Sequence, residues 1–286
     1  MTSNGHNGSN AHNGHSEMTH TSRLDGKVAL VTGSGRGLGA GIAMDLGSRG
    51  ASVVVNYAKS ASAAKKVVAE IESFGSKAIA IQADISKIPE VSQLFNEAIC
   101  HFGRLDIVVS NSGMETFCKE EDVTEEIYDQ VFSLNTRGQF FVAQHALRHL
   151  SDYGRIILTS SVAATMSGIR DHALYAGSKA AVEAFTRSFS ADAGHKHITV
   201  NAIAPGGVKT DMYTENSWHY VPGGHPGLDI ETIDKGLANL SPLKRVGLPQ
   251  DVARVVAFLA GPESEWVNGK LESNPVPSGS IFGNNC

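Results

Sequence analysis

Residues 27–43, KVALVTGSGRGLGAGIA, determine the fold of this chain. They open with an unbroken apolar run, VALV, which is typical of a strand covered on both faces. Gly33, Gly37 and Gly39 follow, and then a helical stretch begins. Glycine lets the backbone turn sharply and approach a pyrophosphate, and the N-terminus of the next helix offers free N–H groups to that anion. A glycine triplet alone indicates only a tight turn, but between a strand and a helix it predicts a dinucleotide-binding turn.

Strand-like and helix-like segments alternate along the rest of the chain with short links. The strand-like runs lie at 51–56, 78–84, 105–111, 154–161 and 198–205, and the helix-like segments lie at 60–74, 89–102, 124–150, 173–193 and 249–261. Such alternation is typical of βαβ units, whose right-handed crossovers give a parallel sheet with helices on both faces. The predicted fold is therefore α/β, a single-domain Rossmann doubly wound parallel sheet flanked by helices, over residues 23–270.

Composition excludes several classes of function. The chain has 286 residues, of which 41% are hydrophobic and 19% charged, as in ordinary globular proteins. A net charge of -5 argues against a nucleic-acid partner. No apolar run approaches the ~20 residues that span a bilayer, and the start lacks a secretion signal. The few, widely spaced cysteines fit a reducing compartment and no metal site, so we expect a cytoplasmic protein with no membrane partner.

Three segments depart from the alternating pattern. Residues 1–22 are almost all Gly, Asn, Ser, Thr and His, and they predict a disordered tail with solvated histidines. Residues 206–240 are rich in Gly, Pro and aromatic residues, and structureless connections of that length commonly act as lids. Residues 271–286 contain Pro275 and Pro277, which cannot donate to a central ladder. We therefore predict a lid at about 206–240 and an atypical C-terminal tail at 271–286, in which the formation of the last strand is an open question.

The end of the second strand-like run bears on the identity of the dinucleotide. NAD-binding folds place an acidic side chain on the ribose about 20 residues after the glycines. This chain has Asn56 there, and the next residues are Tyr57, Ala58, Lys59 and Ser60. Without a carboxylate to repel a 2′-phosphate, Arg36 in the turn becomes its counter-ion, and Lys59 adds a second positive charge. The sequence therefore predicts NADPH/NADP as the cofactor.

A helix-prone run at 172–184, HALYAGSKAAVEA, places Tyr175 and Lys179 on one helical face. A solvated surface pair is the plain explanation. However, T-G-x-x-x-G-x-G at 32–39, NSG at 111–113 and Y-x-x-x-K together resemble the short-chain dehydrogenase/reductase family over roughly residues 24–270. The stretches VNYAKS, NTRGQFFVA and SPLKRVGLPQDVARVV further resemble the fungal naphthol and anthraquinol reductases. These include trihydroxynaphthalene reductases, versicolorin reductases and a fungal 17β-hydroxysteroid dehydrogenase.

The resemblance implies a catalytic set. Tyr175 is the general acid–base, Lys179 is its partner, and Ser161 binds the substrate carbonyl oxygen. Asn135 holds a water in a proton relay behind the lysine. A phenol has an ordinary pKa near 10, and an ammonium group one turn away is expected to lower the pKa of Tyr175.

The resemblance also implies binding residues. Cofactor contacts are expected from Gly33, Arg36, Gly37, Leu38, Gly39, Asn56, Tyr57, Ala58, Lys59, Ser60, Asp84, Ile85, Asn111, Gly113, Tyr175, Lys179, Pro205, Gly206, Val208 and Thr210. Substrate contacts are expected from Ser161, Tyr175, Met212, Tyr213 and Tyr220. The two lid tyrosines either stack on an aromatic ligand or only attach the lid to the body, and His219 is expected to be solvated. Met114, Glu115 and Cys118 differ from relatives beside the site and are expected to retune the substrate.

These implications converge on an NADPH-dependent ketoreductase. Its expected substrate is a small aromatic ketone or quinone of polyketide origin, of the hydroxynaphthalene or anthraquinone type. A steroid or carrier-bound β-ketoacyl reductase would use the same catalytic residues, and a non-catalytic NADP(H)-binding scaffold or sensor is an alternative of another class. By resemblance we expect a homotetramer or homodimer.

Overall fold

A seven-stranded parallel sheet runs through the computed structural model, which describes residues 23–273. The strands are β1 (Val28–Val31), β2 (Ser52–Tyr57), β3 (Ala78–Gln82), β4 (Ile107–Ser110), β5 (Arg155–Thr159), β6 (Thr199–Ala204) and β7 (Leu271–Ser273). Their order is β3-β2-β1-β4-β5-β6-β7, and each neighbouring pair is parallel. The predicted doubly wound parallel sheet is therefore confirmed.

Helices cover both faces of this sheet. They are α1 (Gly37–Ser48), α2 (Ala61–Ser73), α3 (Ile88–Phe102), α4 (Glu125–Phe132), α5 (Gln139–His149), α6 (Ala173–Asp192), α7 (Asp211–Asn216), α8 (Ile230–Leu240) and α9 (Pro249–Ala260). One hydrophobic cluster joins α1, α2 and α9 to the sheet, and a second cluster joins α3, α5 and α6 to its other face. Ala29 and Val31 of β1 enter the first cluster, whereas Val28 and Leu30 enter the second. The run VALV is unbroken because both of its faces are buried.

The strand order reverses between β1 and β4, and the crevice of a doubly wound sheet opens at such a point. The chain closes the base of this crevice with side-chain contacts. The Thr32 hydroxyl accepts hydrogen bonds from the backbone N–H groups of Asn111 and Ser112 at 2.9 and 3.1 Å. In return, Asn111 Nδ2 donates to the Thr32 carbonyl at 3.0 Å. The glycine turn and the NSG sequence are thereby held side by side.

The helix predicted over 124–150 is interrupted by a π-helical segment, Ser133–Gly138, between α4 and α5. Single π turns inside helices occur frequently at functional sites. Gly138 packs against the backbone here, since a Cβ atom on it would lie 2.8 Å from the Ile85 carbonyl oxygen. The segment buries Asn135 completely.

Residues 206–240, which we call the lid segment, contain two helices, α7 and α8, and a 3₁₀ turn at Ser217–Tyr220. The sequence predicts no regular structure here, and this prediction is wrong. Side-chain caps start both helices, from Thr210 for α7 and from Asp229 for α8. The lid segment also has a small hydrophobic cluster of its own, and such packing offsets the entropy of ordering its glycine-rich backbone.

The C-terminal end of the described chain contains a short strand. Leu271–Ser273 pairs with Ala202–Ala204 of β6, so these three residues form a last strand, which the sequence left open. The prolines that raised this question lie at 275 and 277, outside the described residues, as does the predicted disordered tail at 1–22. Within residues 23–273, no helix combines the length and the apolar character needed to cross a membrane.

Candidate active site

A cavity of about 1500 Å³ opens at the carboxyl ends of the strands, between the glycine turn and the lid segment. All the residues predicted to contact the cofactor or the substrate line it. They come from the turn after β1, the ends of β2 to β6, the start of α6, and α7. Asn135 is the one predicted site residue that does not line the cavity. Residues from widely separated parts of the sequence thus share one site.

Tyr175 and Lys179 form a buried pair on the cavity wall. Tyr175 is 8% exposed and Lys179 is 2% exposed, so the surface-pair explanation is wrong. Lys179 Nζ lies 5.7 Å from the centroid of the Tyr175 ring and donates to the Thr159 carbonyl at 2.9 Å. The Ser161 side chain lies beside Tyr175 on the same wall. The end of β5 and the first turns of α6 therefore bring a phenol, a hydroxyl and an amine together.

Burial controls the proton affinity of this pair. The pKa of Tyr175 is raised above its ordinary value because burial disfavours the phenolate, and the negative charge of Glu115 raises it further. The hydrogen bond from Ser161 acts in the opposite direction. Burial also lowers the pKa of Lys179 to about 8, against the attraction of Glu115. The predicted lowering of the Tyr175 pKa is therefore wrong here: burial and the charge of Glu115 raise it, and Tyr175 stays protonated at pH 7.

Asn135 lies behind the cavity and binds the loop that follows β4. Its Oδ1 accepts from the Met114 N–H at 2.9 Å, and its Nδ2 donates to the Met114 carbonyl and to Ser178 Oγ at 2.8 and 3.1 Å. These contacts fix residues 111–115 against α6. A Cβ atom on Gly113 would lie 3.1 Å from Lys179 Nζ and 3.3 Å from Asn135 Oδ1, so glycine keeps the lysine accessible.

The glycine turn fits a pyrophosphate. Gly37 begins α1 with φ = +57°, a backbone conformation that glycine adopts without strain. The preceding residue makes no side-chain cap, and the first turn of α1 contains no acidic residue. No capping side chain or acidic residue therefore occupies the free N–H groups and the positive end of the helix dipole, which face the cavity.

Two side chains near the turn have unequal roles. Asn56 lines the cavity, but its Oδ1 accepts from the Gly33 N–H at 3.1 Å and its Nδ2 donates to the carbonyls of Ile81 and Ala83. Its polar atoms are therefore used to hold the turn against β3. Arg36 is exposed at the rim, where its guanidinium pairs with Asp211 of α7 at 3.3 Å. It is available to a ligand phosphate at the same end of the cavity as Lys59.

Aromatic side chains form the wall beneath the lid segment. The His219 ring stacks on Phe117 and on Trp218, with centroids 3.5 Å apart in both cases, so the prediction of a solvated His219 is wrong. Phe117 also stacks on His172 with centroids 4.2 Å apart. Phe117 and His172 were not predicted as site residues, because no local sequence pattern marks either of them. Their importance follows only from the contacts between three distant segments.

The two lid tyrosines differ in their contacts. Tyr213 is 5% exposed, packs in the hydrophobic cluster of the lid segment, and donates its hydroxyl to Asp234 of α8 at 2.6 Å. These contacts favour the structural role that we considered for it. Tyr220 lines the cavity, and its hydroxyl lies 2.5 Å from Glu115 Oε1 and 2.9 Å from His172 Nε2. Met212 also lines the cavity.

Comparison with known proteins gives matches along most of the chain. A family model described as enoyl-(acyl carrier protein) reductase matches residues 33–271. The chain is 71% identical over 248 residues to the hydroxynaphthalene reductase-like protein Arp2 of Metarhizium acridum, covering 87% of this chain and 93% of the relative. It is 63% identical over 246 residues to the tetrahydroxynaphthalene reductase PfmaG of Pestalotiopsis fici, covering 86% and 89%. A short-chain dehydrogenase from Burkholderia cenocepacia in complex with NADP superimposes with a TM-score of 0.80 at 37% identity, covering 90% and 99%.

Proposed function

Since this chain belongs to the short-chain dehydrogenase/reductase family, we propose that it reduces a ketone of a hydroxynaphthalene-type polyketide with NADPH as the reductant. The observation that carries the proposal is the buried Ser161–Tyr175–Lys179 group on the wall of one large cavity that also contains the glycine turn. The 71% identity to a hydroxynaphthalene reductase-like protein supports the substrate class. The similar Burkholderia cenocepacia dehydrogenase, which was solved in complex with NADP, supports NADPH as the cofactor.

The residues of this chain would hold the cofactor at two ends. The first turn of α1 offers N–H donors to the pyrophosphate, and Arg36 with Lys59 offers positive charge to a 2′-phosphate. Lys179 Nζ is close enough to Gly113 to face a sugar that packs on that glycine. When bound, NADPH supplies a hydride from nicotinamide C4.

Ser161 and Tyr175 would act on the substrate oxygen. Both hydroxyl groups line the cavity, and they donate to an oxygen that gains negative charge as its carbon is reduced. The proton of Tyr175 passes to that oxygen, so the ketone becomes an alcohol, and Tyr175 then regains a proton from solvent. The raised pKa of Tyr175 keeps the donor protonated beforehand. Burial of the pair excludes water and fixes its orientation, which favours the reaction through proximity.

A substrate panel tests this function. We would follow NADPH absorbance with a hydroxylated naphthalenone, a quinone, a steroid ketone and a β-ketoacyl thioester. Turnover is expected to be fastest with the hydroxylated naphthalenone. Preference for the steroid or the thioester would contradict the substrate class, and NADPH binding without turnover on any ketone would favour the scaffold alternative.

Arg36→Ala is expected to weaken NADPH binding about tenfold and to leave NADH binding unchanged. The loss corresponds to one charge-assisted contact to the 2′-phosphate, reduced by the exposure of the guanidinium. Fluorescence titration with both cofactors measures this difference. Arg187→Ala, an exposed arginine outside the cavity, serves as the control. An equal loss for both cofactors would show that Arg36 does not recognise the phosphate.

The rate of reduction is expected to fall as the pH rises through about 8. Lys179, whose pKa is lowered to about 8, loses its positive charge over that range. Tyr175 keeps its proton because its pKa is raised, so the donor itself does not titrate there. The pH dependence of kcat/KM for the ketone, measured at saturating NADPH, reports the pKa of Lys179 in the enzyme that has not yet bound the ketone. A profile that stays flat to about pH 9 would contradict a requirement for the charged form.

A further inference from the structure

Glu115 places a buried carboxylate on the cavity wall beside Tyr175. Its side chain is 10% exposed and lines the cavity. Oε1 accepts a hydrogen bond from the Tyr220 hydroxyl at 2.5 Å, and the Asn216 side chain lies near enough to lower the pKa of the carboxyl. A carboxylate has roughly four acceptor positions, so these two contacts leave acceptor capacity at a wall where a ligand can reach it.

The surroundings of Glu115 do not neutralise its charge. Among the described residues, the one basic side-chain atom within 4 Å is His172 Nε2, at 3.9 Å. Burial lowers the pKa of His172 to about 4, so this histidine is neutral at pH 7. Burial raises the pKa of Glu115, and its hydrogen bond with Tyr220 and the more distant charge of Lys179 act against that rise. A buried carboxylate without a close cation costs free energy of folding. Packing at this position does not require a carboxylate, so its presence points to a binding role.

We propose that Glu115 accepts a hydrogen bond from a ring hydroxyl of the substrate and thereby selects hydroxylated aromatic ketones over plain ones. This inference rests on the proposed function and adds the substrate feature that the site recognises. The hydroxyl of a hydroxylated naphthalenone is an acidic donor, and its hydrogen bond to a carboxylate is of the charge-assisted, stronger kind.

The donors and acceptors of the cavity wall are complementary to such a substrate. Ser161 and Tyr175 present donors to a carbonyl oxygen, whereas Glu115 presents acceptors. A molecule with one carbonyl oxygen and one hydroxyl on a fused ring satisfies both groups at once. A plain ketone leaves the carboxylate desolvated without a new partner, and a site built to bind a hydroxyl rejects analogues that lack it.

Three distant segments fix the orientation of Glu115. The Tyr220 hydroxyl from the lid segment bridges it to His172 at the start of α6. The His172 ring in turn lies 4.9 Å from the Tyr175 ring, measured between centroids. The acceptor is thus held at a set position relative to the proton donor, as recognition of two groups on a rigid ring requires.

Two variants and two ligands test the inference. Glu115→Gln removes the charge at nearly constant shape, and Glu115→Met removes both acceptors. The ligands are a naphthalenone with a ring hydroxyl and the same ketone with hydrogen in its place. Dissociation constants would be measured by calorimetry on enzyme saturated with NADP, and KM and kcat with NADPH. Glu121→Gln, an exposed acid outside the cavity, is the control.

Glu115→Gln is expected to weaken binding of the hydroxylated ketone about tenfold and Glu115→Met more, with the plain ketone changed less than about threefold. Equal losses on both ketones, or no loss on either, would overturn the inference. If the wild-type protein binds the pair selectively through Glu115 but reduces neither ketone, the proposed function fails and the recognition stands. If it reduces both without a Glu115-dependent preference, only the inference fails.

Discussion

Tyr175→Phe is expected to lower kcat by about 100- to 10,000-fold, because a positioned general acid contributes roughly that factor. The substitution removes one hydroxyl from a residue that is 8% exposed and leaves its ring in place. Ser161 lies beside Tyr175, but a serine hydroxyl is a far weaker acid than a phenol. Ser161 is therefore not expected to replace Tyr175 as the proton donor. The proton would then have to come from water, which lacks the fixed orientation of the phenol.

The NADPH affinity of Tyr175→Phe is expected to stay within about twofold of the wild-type value, since the glycine turn and Arg36 are untouched. Stopped-flow measurement of NADPH consumption, with fluorescence titration of NADPH binding, separates the two quantities. Tyr128→Phe, on the exposed surface of α4, is the control and is expected to have ordinary activity. Full activity in Tyr175→Phe would remove the basis of the proposed mechanism.

Gly39→Ala is expected to weaken NADPH binding by about 100-fold or more and to lower the free energy of unfolding by about 1–3 kcal/mol. A Cβ atom on Gly39 would lie 2.5 Å from both the Gly33 carbonyl oxygen and Asn111 Nδ2. The carbonyl belongs to the backbone of the turn, so the turn itself must shift. Two misplaced N–H donors to a pyrophosphate, each worth about 1.5–3 kcal/mol, account for the loss of affinity.

A matched control exists in α6. Gly177 is exposed, and a Cβ atom there would meet only Phe132 Cζ, at 3.8 Å. Gly177→Ala is therefore expected to stabilise the protein by up to about 1 kcal/mol through helix propensity, with unchanged NADPH affinity. Chemical denaturation and NADPH titration of both variants give the comparison. Ordinary NADPH affinity in Gly39→Ala would show that the turn does not hold the pyrophosphate as proposed.

The alternating pattern and the glycine turn were sufficient to predict the sheet, because both depend on short-range sequence. A strand such as β1, which is buried on both faces, must be apolar throughout, and its sequence VALV is entirely apolar. The residues predicted to bind the cofactor and the substrate line one cavity, since the carboxyl ends of parallel strands meet at one edge. The alternating pattern therefore predicts at which end of the sheet a residue lies.

Contacts between distant segments could not be predicted in the same way. Glu115, His172 and Tyr220 meet only after folding, and no periodicity links residues so far apart. The sign of the Tyr175 pKa change depends on how completely water is excluded, which a helical spacing does not specify. The lid helices were missed because their caps and small apolar cluster are weak signals beside so many glycines and prolines.

The contacts of Asn56 have a consequence for redesign. An aspartate at this position is the obvious substitution for anyone who wishes to convert the enzyme to NADH. Here it would replace the donor to the Ile81 and Ala83 carbonyls with a second acceptor, and the oxygens would repel one another in a buried setting. Coenzyme choice and the integrity of the β2–β3 edge are thus coupled through one amide, and engineers would do better to begin at the solvent-facing rim.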